Sequence, residues 1–343
     1  MGSSIFMSDG CCRVHPNIID ALVQANNGYS LSYGYDDYTQ IATQIFRDYF
    51  GKEVEVFFVA NGTAANTLTI KSLIRSYDAL ICSEDAHLNK NEGGAIEAVV
   101  GSKLVTVKSY FGKIDCDDLQ EKVKLIGDPY MPQPKLIVLS QATEFGTVYS
   151  LAELQIIKDI ARKNKLFLYM DGARLANAAA YLDVSLKKIC EEFDAVFFGN
   201  TKNGGMFGEA VIFFNIELAK QFKYMQKQNL QLIPKTRFIA TQYIALFEDN
   251  LWLNNAMVSN LMAKTLAREL SLINGISILY PVEANLVFVK IPPRIINRIL
   301  QKFCLSVIDK EAGIVRFVTS FDTKEKEISL LKSFIEHLLV DQS

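Results

Sequence analysis

The sequence predicts an α/β protein in which a mostly parallel sheet is covered on both faces by helices, with a smaller α+β unit at the carboxyl end. Three observations carry that expectation. Short runs that are apolar on every residue, rather than on alternate residues, mark strands buried on both faces. Those runs alternate with segments of helical period, the pattern of a sheet built from strand–helix units. Past about residue 272 the pattern changes to a compact set of strands and helices of its own.

Taken in order, the first strand is "EVEVFFV" (53–59), followed by a helix from about residue 63. "ALIC" (79–82) and "KLVTV" (103–107) come next, then a helix from about 115 and "PKLIVLS" (134–140). A helix from about 151 leads to "LFLYM" (166–170), a short helix after 172, "AVFF" (195–198) and "EAVIFF" (209–214), which makes seven strands. Residues 216–272 read as almost wholly helical, with periodic apolar positions through "LAKQFKYMQKQ" and "NLMAKTLARELSLI". After the connector "NGISILYPVEAN" come "LVFVKIPP", a helix at about 293–303, "LSVID", "GIVRFVTSF" and a closing helix from about 324. No repeat, low-complexity tract or Pro/Gly-rich linker interrupts the chain.

Composition narrows the function classes. The chain has 343 residues, 50% hydrophobic and 22% charged, enough to bury a large core and divide into a bigger and a smaller domain. With 36 basic against 38 acidic residues and no basic tract interleaved with aromatics, a nucleic-acid partner is not expected. No apolar stretch approaches the roughly 20 residues that span a bilayer, and "MGSSIFMSDG" lacks a basic region followed by an apolar one. Phe6 stands where a myristoylation signal needs Ser or Thr, so the expected location is the cytoplasm, with no membrane contact. The six cysteines form no C-x-x-C pair and read as reduced, mostly buried thiols, and the three histidines lack metal-site spacing, so no metal is expected.

In such a sheet ligands collect at the carboxyl ends of the strands, and three stretches there carry chemistry. In "VANGTAAN" (59–66), Gly62 lets the backbone approach a ligand, and Thr63 offers a hydroxyl and an N–H at the positive end of a helix, which suits a phosphate; the alternative is a plain helix cap. In "LFLYMDGARLANAAA" (166–180), Asp171 ends an apolar strand with Arg174 three residues on. That aspartate reads either as a cap or as half of an Asp–Arg pair holding a cofactor and an anionic group. In "FFGNTKNGGMFGEA" (197–210), Lys202 follows the next strand and sits among glycines expected to let the chain crowd against a flat cofactor. Because the two strands are consecutive, Asp171 and Lys202 emerge on one sheet edge, within reach of one small ring.

A phosphate loop of the G-x-x-x-x-G-K-[ST] type is excluded at Lys202, since the glycines follow the lysine and no Ser or Thr comes next. No G-x-G-x-x-G follows a strand either, so a dinucleotide fingerprint is absent. A lysine amine for a Schiff base, an acid for a pyridinium nitrogen and a helix N-terminus for a phosphate together describe a pyridoxal phosphate site.

The sequence resembles the low-specificity threonine aldolases of the fold-type I pyridoxal phosphate enzymes, more closely the branch that includes phenylserine aldolase. The resemblance runs over nearly the whole chain, through "SDG" (8–10), "YGYDDYT" (33–39), "FFVANGTAAN" (57–66), "AHLNKNEGGAIE" (86–97), "PKLIVLSQATEFGTVYS" (134–150), "DGARLANAAA" (171–180), "GNTKNGG" (199–205) and "IVRFVTS" (314–320). It implies an amino-terminal segment (1–14) that reaches the active site, a large cofactor-binding domain (15–250) and a small carboxyl-terminal domain (251–343). It further implies that Lys202 carries pyridoxal 5'-phosphate, that Asp171 keeps its ring nitrogen protonated and that His87 stacks on its face. Gly62 and Thr63 would bind the phosphate, with Thr201 and Arg174 among the cofactor's contacts, and Arg237 would reach a neighbouring subunit's phosphate. Ser8, Arg174 and Arg316 would grip the substrate carboxylate, and Tyr33, with Tyr35 and Tyr38, would line an aromatic entrance.

Where the better-known branch carries a histidine that touches the substrate hydroxyl, this chain has "ATEFGT" with Glu144, a carboxylate that serves as base if burial raises its pKa. The implied reaction is retro-aldol cleavage of a β-hydroxy-α-amino acid such as threonine, allo-threonine or phenylserine to glycine and an aldehyde, in a homo-oligomer, dimer or tetramer, with shared active sites. Rival readings keep the cofactor but eliminate at the β-carbon of an aromatic amino acid or transaminate, or keep the fold without catalysis.

Overall fold

The computed structural model describes residues 4–340; residues 1–3 and 341–343, the outermost parts of the first and last expected segments, lie outside the described residues. Seven strands form the main sheet: β1 (Glu55–Val59), β2 (Asp78–Ser83), β3 (Lys103–Val107), β4 (Gln133–Ser140), β5 (Phe167–Asp171), β6 (Ala195–Phe198) and β7 (Glu209–Phe213). Their spatial order is β1-β7-β6-β5-β4-β2-β3. All neighbours pair parallel except β7, which runs antiparallel to both β1 and β6. The cause is the short connection from β6 to β7, residues 199–208, since a parallel return needs a crossover of a dozen or more residues.

Strands buried on both faces feed two cores. In β6, Val196 and Phe198 point into one cluster with Phe46, Phe50, Tyr243 and Phe247, while Ala195 and Phe197 point into the other with Leu68, Leu80 and Phe213. This is the two-residue alternation of a pleated strand applied to an all-apolar sequence.

A second, antiparallel sheet follows, in the order β8 (Ser277–Ile278), β9 (Leu286–Lys290), β11 (Ile314–Val318), β10 (Ser306–Asp309). Helices Pro293–Leu300 and Glu325–Val340 cover it over a core of Val287, Val289, Val315, Phe317, Leu331 and Ile335. The long helix Leu251–Ser271 passes from one core to the other, burying Trp252 and Ala256 in the first and Met262, Leu266 and Leu270 in the second. Residues Ser4–Ile5 pair parallel with Phe303–Cys304, and Phe6 is buried in the carboxyl-terminal core, so the amino terminus is stitched to the far end of the chain.

The run expected to be almost wholly helical is broken. Helices Ile216–Ala219 and Phe222–Gln228 are followed by irregular chain at 229–236 before helix Arg237–Phe247. Leu230 takes φ 64°, outside the helical region, and Pro234 cannot donate the hydrogen bond a helix interior needs. Among the described residues no helix is long and apolar enough to cross a membrane.

Candidate active site

The carboxyl ends of β1, β5 and β6 open onto a cavity of about 260 Å³. Helix α1 (Gly62–Leu73) begins three residues after β1 ends, with Asn61 Oδ1 accepting the Ala64 N–H at 2.9 Å as its cap. The first N–H groups of a helix have no carbonyl within it to bind, so Gly62 and Thr63, both lining the cavity, open a site suited to an anion.

Asp171 is the last residue of β5 and is buried. Its Oδ1 accepts the Ala173 N–H at 3.0 Å and its Oδ2 accepts Asn66 Nδ2 at 2.9 Å. Lys202 sits on the one-turn helix Thr201–Asn203 that follows β6 and lines the same cavity. Burial pulls the Lys202 ammonium below the usual lysine pKa, and the Arg174 guanidinium pushes the same way against Asp9, Asp171 and Glu209. A larger neutral fraction is what an attacking amine needs.

Glu144 faces the cavity with Oε1 doubly occupied, by the Ser140 hydroxyl at 2.6 Å and the His87 N–H at 2.8 Å. Burial raises its pKa above the ordinary carboxylate value despite those two donors. Glu209, at the start of β7, is a further buried acid on the wall; burial pushes it up to about 7, against the donors of Thr201 and Asn200.

The expected Asp171–Arg174 pair does not form. Arg174 instead makes a bidentate pair with Asp9, Nε to Oδ2 at 2.8 Å and Nη2 to Oδ1 at 3.1 Å, while the oxygens of Asp171 go to N–H donors. Burial opposes ionisation of Asp9, but Arg174, Lys202 and the Asn285 amide outweigh it and hold its carboxyl below the ordinary value. The glycines around Lys202 also make room for close packing of the chain. A Cβ on Gly199, which lines the cavity, would lie 2.3 Å from the Ala173 carbonyl oxygen, and one on Gly208, at φ +87°, 2.7 Å from Ile239, so they admit neighbouring chain.

Of the residues singled out in the sequence, Gly62, Thr63, His87, Glu144, Asp171, Arg174, Thr201 and Lys202 line this one cavity. Ser8, Tyr33, Arg237 and Arg316 do not. The Ser8 hydroxyl accepts the Gly10 N–H and lines a separate hollow with Arg13 and Asp322. Arg316, on β11, gives Nη2 to the Ser306 hydroxyl at 3.2 Å, and its buried Nε has no partner among the described residues. Burial and the charge of Arg174 both depress Arg316, with Asp9 opposing, so the three share one charged neighbourhood. Tyr33 lines a surface hollow with Tyr35, Lys223 and Lys227, and Arg237 stacks over the ring of Phe238.

Sequence reasoning missed Asp9, Asn66, Glu92, Ser140 and Glu209. One was accessible: Asn66 lies one helical turn after Gly62, hence on the same face. Glu209 opens its strand and reaches the cavity only because β7 runs antiparallel to its neighbours.

A family model described as beta-eliminating lyase matches residues 6–292. Over 340 residues the chain is 37% identical to the low specificity L-threonine aldolase of Pseudomonas sp. (strain NCIMB 10558), with 98% of each chain covered. The chain belongs to the threonine aldolase family. The enzymes of this family are fold-type I pyridoxal phosphate enzymes and carbon–carbon lyases, and the fold and cofactor expected from the sequence are theirs. A second member, the low specificity L-threonine aldolase of Pseudomonas aeruginosa, is 38% identical over 93% of each chain. The solved threonine aldolase of Leishmania major superposes with a TM-score of 0.93 at 30% identity over 98% of this chain and 99% of its own. The aspartate aminotransferase of Thermus thermophilus, at 15% identity and a TM-score of 0.72, shares the fold.

Proposed function

We propose that this protein cleaves β-hydroxy-α-amino acids such as threonine, allo-threonine or phenylserine to glycine and an aldehyde, with pyridoxal phosphate held by Lys202. The observation that carries the reading is the cavity itself, where a lysine of lowered pKa, the buried acceptor Asp171 and the first turn of α1 stand together beside the raised carboxyl of Glu144. The donor set fits the cofactor: Lys202 for its aldehyde carbon, Asp171 for its ring nitrogen, and Gly62, Thr63 and Thr201 for its phosphate. When bound, pyridoxal phosphate supplies an electron sink for the pair released as a bond at the α-carbon breaks.

The remaining work belongs to the chain. Asp9 occupies Nε and one Nη2 hydrogen of Arg174, leaving other guanidinium donors for a carboxylate, and the unpartnered Nε of Arg316 offers a second cation in the same neighbourhood. Holding the carboxylate would orient the amino acid and so select which bond at its α-carbon is cleaved. Glu144, with one oxygen tied by Ser140 and His87, keeps the other to take the proton of the β-hydroxyl.

The protein is a homo-oligomer, dimer or tetramer, in this reading. Tyr29, Leu31, Tyr224 and Leu230 leave large apolar surface exposed, and Tyr33 and Arg237, which do not line their own cavity, would complete that of a second copy. Six unpaired cysteines suit a reducing cytoplasm. The division into residues 1–14, 15–250 and 251–343 is supported by the separate cores, with helix Leu251–Ser271 spanning the junction.

The test is a product assay on the purified protein with threonine, allo-threonine and phenylserine, read beside the visible absorbance of the bound cofactor. Glycine and aldehyde are expected, and a Lys202→Ala variant loses both them and the absorbance. Ammonia with a 2-oxo acid that keeps the whole carbon skeleton, 2-oxobutyrate from threonine or allo-threonine and phenylpyruvate from phenylserine, would instead establish β-elimination.

A further inference from the structure

We infer that Glu92 and Asn66 are positioning residues that bind His87 and Asp171 into one hydrogen-bonded unit, with the charge of Glu92 acting on the cofactor through His87. The inference rests on the proposed places of His87 and Asp171 against the cofactor. The unit is continuous. Asn66 Nδ2 lies 2.9 Å from Asp171 Oδ2 and 2.7 Å from Glu92 Oε1, and Glu92 Oε1 lies 2.9 Å from His87 Nδ1. The Tyr169 hydroxyl closes the other end by donating to Asn66 Oδ1 at 2.8 Å.

The two carboxylates set the direction of these contacts. The amide nitrogen of Asn66 donates one hydrogen to each acid, leaving its oxygen for the phenol. Burial, reinforced by the charges of Asp171 and Glu92, pushes the Tyr169 phenol far above its ordinary pKa and keeps it a donor. Glu92 in turn requires the hydrogen of His87 on Nδ1, which fixes the tautomer and leaves Nε2 as the nitrogen free to act. His87, Asp171 and Tyr169 are the titratable groups of this unit that face Glu92.

The identity of residue 92 is the informative part. Its side chain is fully buried and its Oε2 has no hydrogen-bond partner among the described residues, a costly arrangement for a carboxylate. A glutamine would accept from Asn66 and His87 through one oxygen equally well. What it could not supply is negative charge beside the imidazole, so the charge is the property that accounts for glutamate. Asn66 sits on α1 one turn after Gly62, so the helix that opens at the phosphate turn also carries the bridge between the two acids.

The experiment compares Glu92→Gln and Asn66→Ala with the unmodified holoenzyme. For Glu92→Gln, an unchanged unfolding midpoint and retained cofactor are expected. The pH titration of the cofactor's visible absorbance should move by on the order of one pH unit, with kcat down roughly tenfold or more and KM little changed. Asn66→Ala leaves two buried carboxylates without their shared donor and should weaken cofactor binding to the stripped protein roughly tenfold or more, read by equilibrium dialysis. In a His87→Phe background, Glu92→Gln should change the titration no further, because its path is removed. Glu92→Gln with an unaltered titration and kcat, or with an equal effect in the His87→Phe background, overturns the inference. The titration reads the cofactor itself, so a protein that formed no glycine would defeat the proposed reaction while leaving this test intact.

Discussion

Glu209→Gln should stabilise the cofactor-free protein, and increasingly so as pH rises. The carboxyl of Glu209 is buried at the start of β7, where it accepts the Asn200 N–H at 2.7 Å. Burial raises it from 4.5 to about 7, although Thr201, Asn200 and Lys202 all favour its ionised form. A carboxyl held above its unfolded value binds its proton more tightly in the folded state, so its cost to stability is absent below pH 4.5, grows through the interval and is complete above pH 7. At about 1.4 kcal/mol per pH unit, the interval is worth about 3 kcal/mol, most of it developed between pH 5 and pH 8. Glutamine is neutral at every pH and its oxygen can keep the Asn200 N–H. Urea unfolding of both proteins, stripped of cofactor, at pH 5, 6.5 and 8 should therefore show near-equal stability at the acid end and an advantage of about 2 to 3 kcal/mol for the variant at pH 8. A difference that does not grow with pH, or a variant less stable at pH 8, would refute the argument.

Asp9→Ala should be destabilising, by about 2 to 3 kcal/mol in the same assay, because it leaves the largely buried Arg174 guanidinium without its bidentate partner; it should also raise KM for the amino acid by disturbing Arg174. Glu144→Gln should lower kcat for glycine formation by roughly a hundredfold. In the unmodified enzyme kcat/KM should rise with pH as the elevated Glu144 carboxyl ionises, and the variant's pH profile should lack that limb.

Position along a strand was legible in the sequence; partnership across the chain was not. Asp171 and Lys202 could be placed because each follows an all-apolar run, and consecutive parallel strands bring their ends to one edge regardless of detail. Nothing local announces that Arg174 pairs with Asp9, whose approach depends on residues 4–6 lying along the carboxyl-terminal sheet. The break before Arg237 was in principle marked by Pro234, but the periodic apolar positions on either side outweighed it.

Asp171 and Glu209 show where that limit bites. Asp171 closes an all-apolar strand and Glu209 opens one, yet both are buried and both line the same cavity, because β7 runs antiparallel to its neighbours. Their neighbours separate them. Asp171 spreads its oxygens over a backbone N–H and an amide that is itself locked between Tyr169 and Glu92. Glu209 looks towards the turn that carries Lys202, accepts from Asn200 and Thr201, and stands near neutrality. One acid is therefore held between fixed donors, while burial pushes the other up to about 7. The distinction comes from α1 and from the closely packed turn after β6, elements that meet the two acids only once the chain has folded.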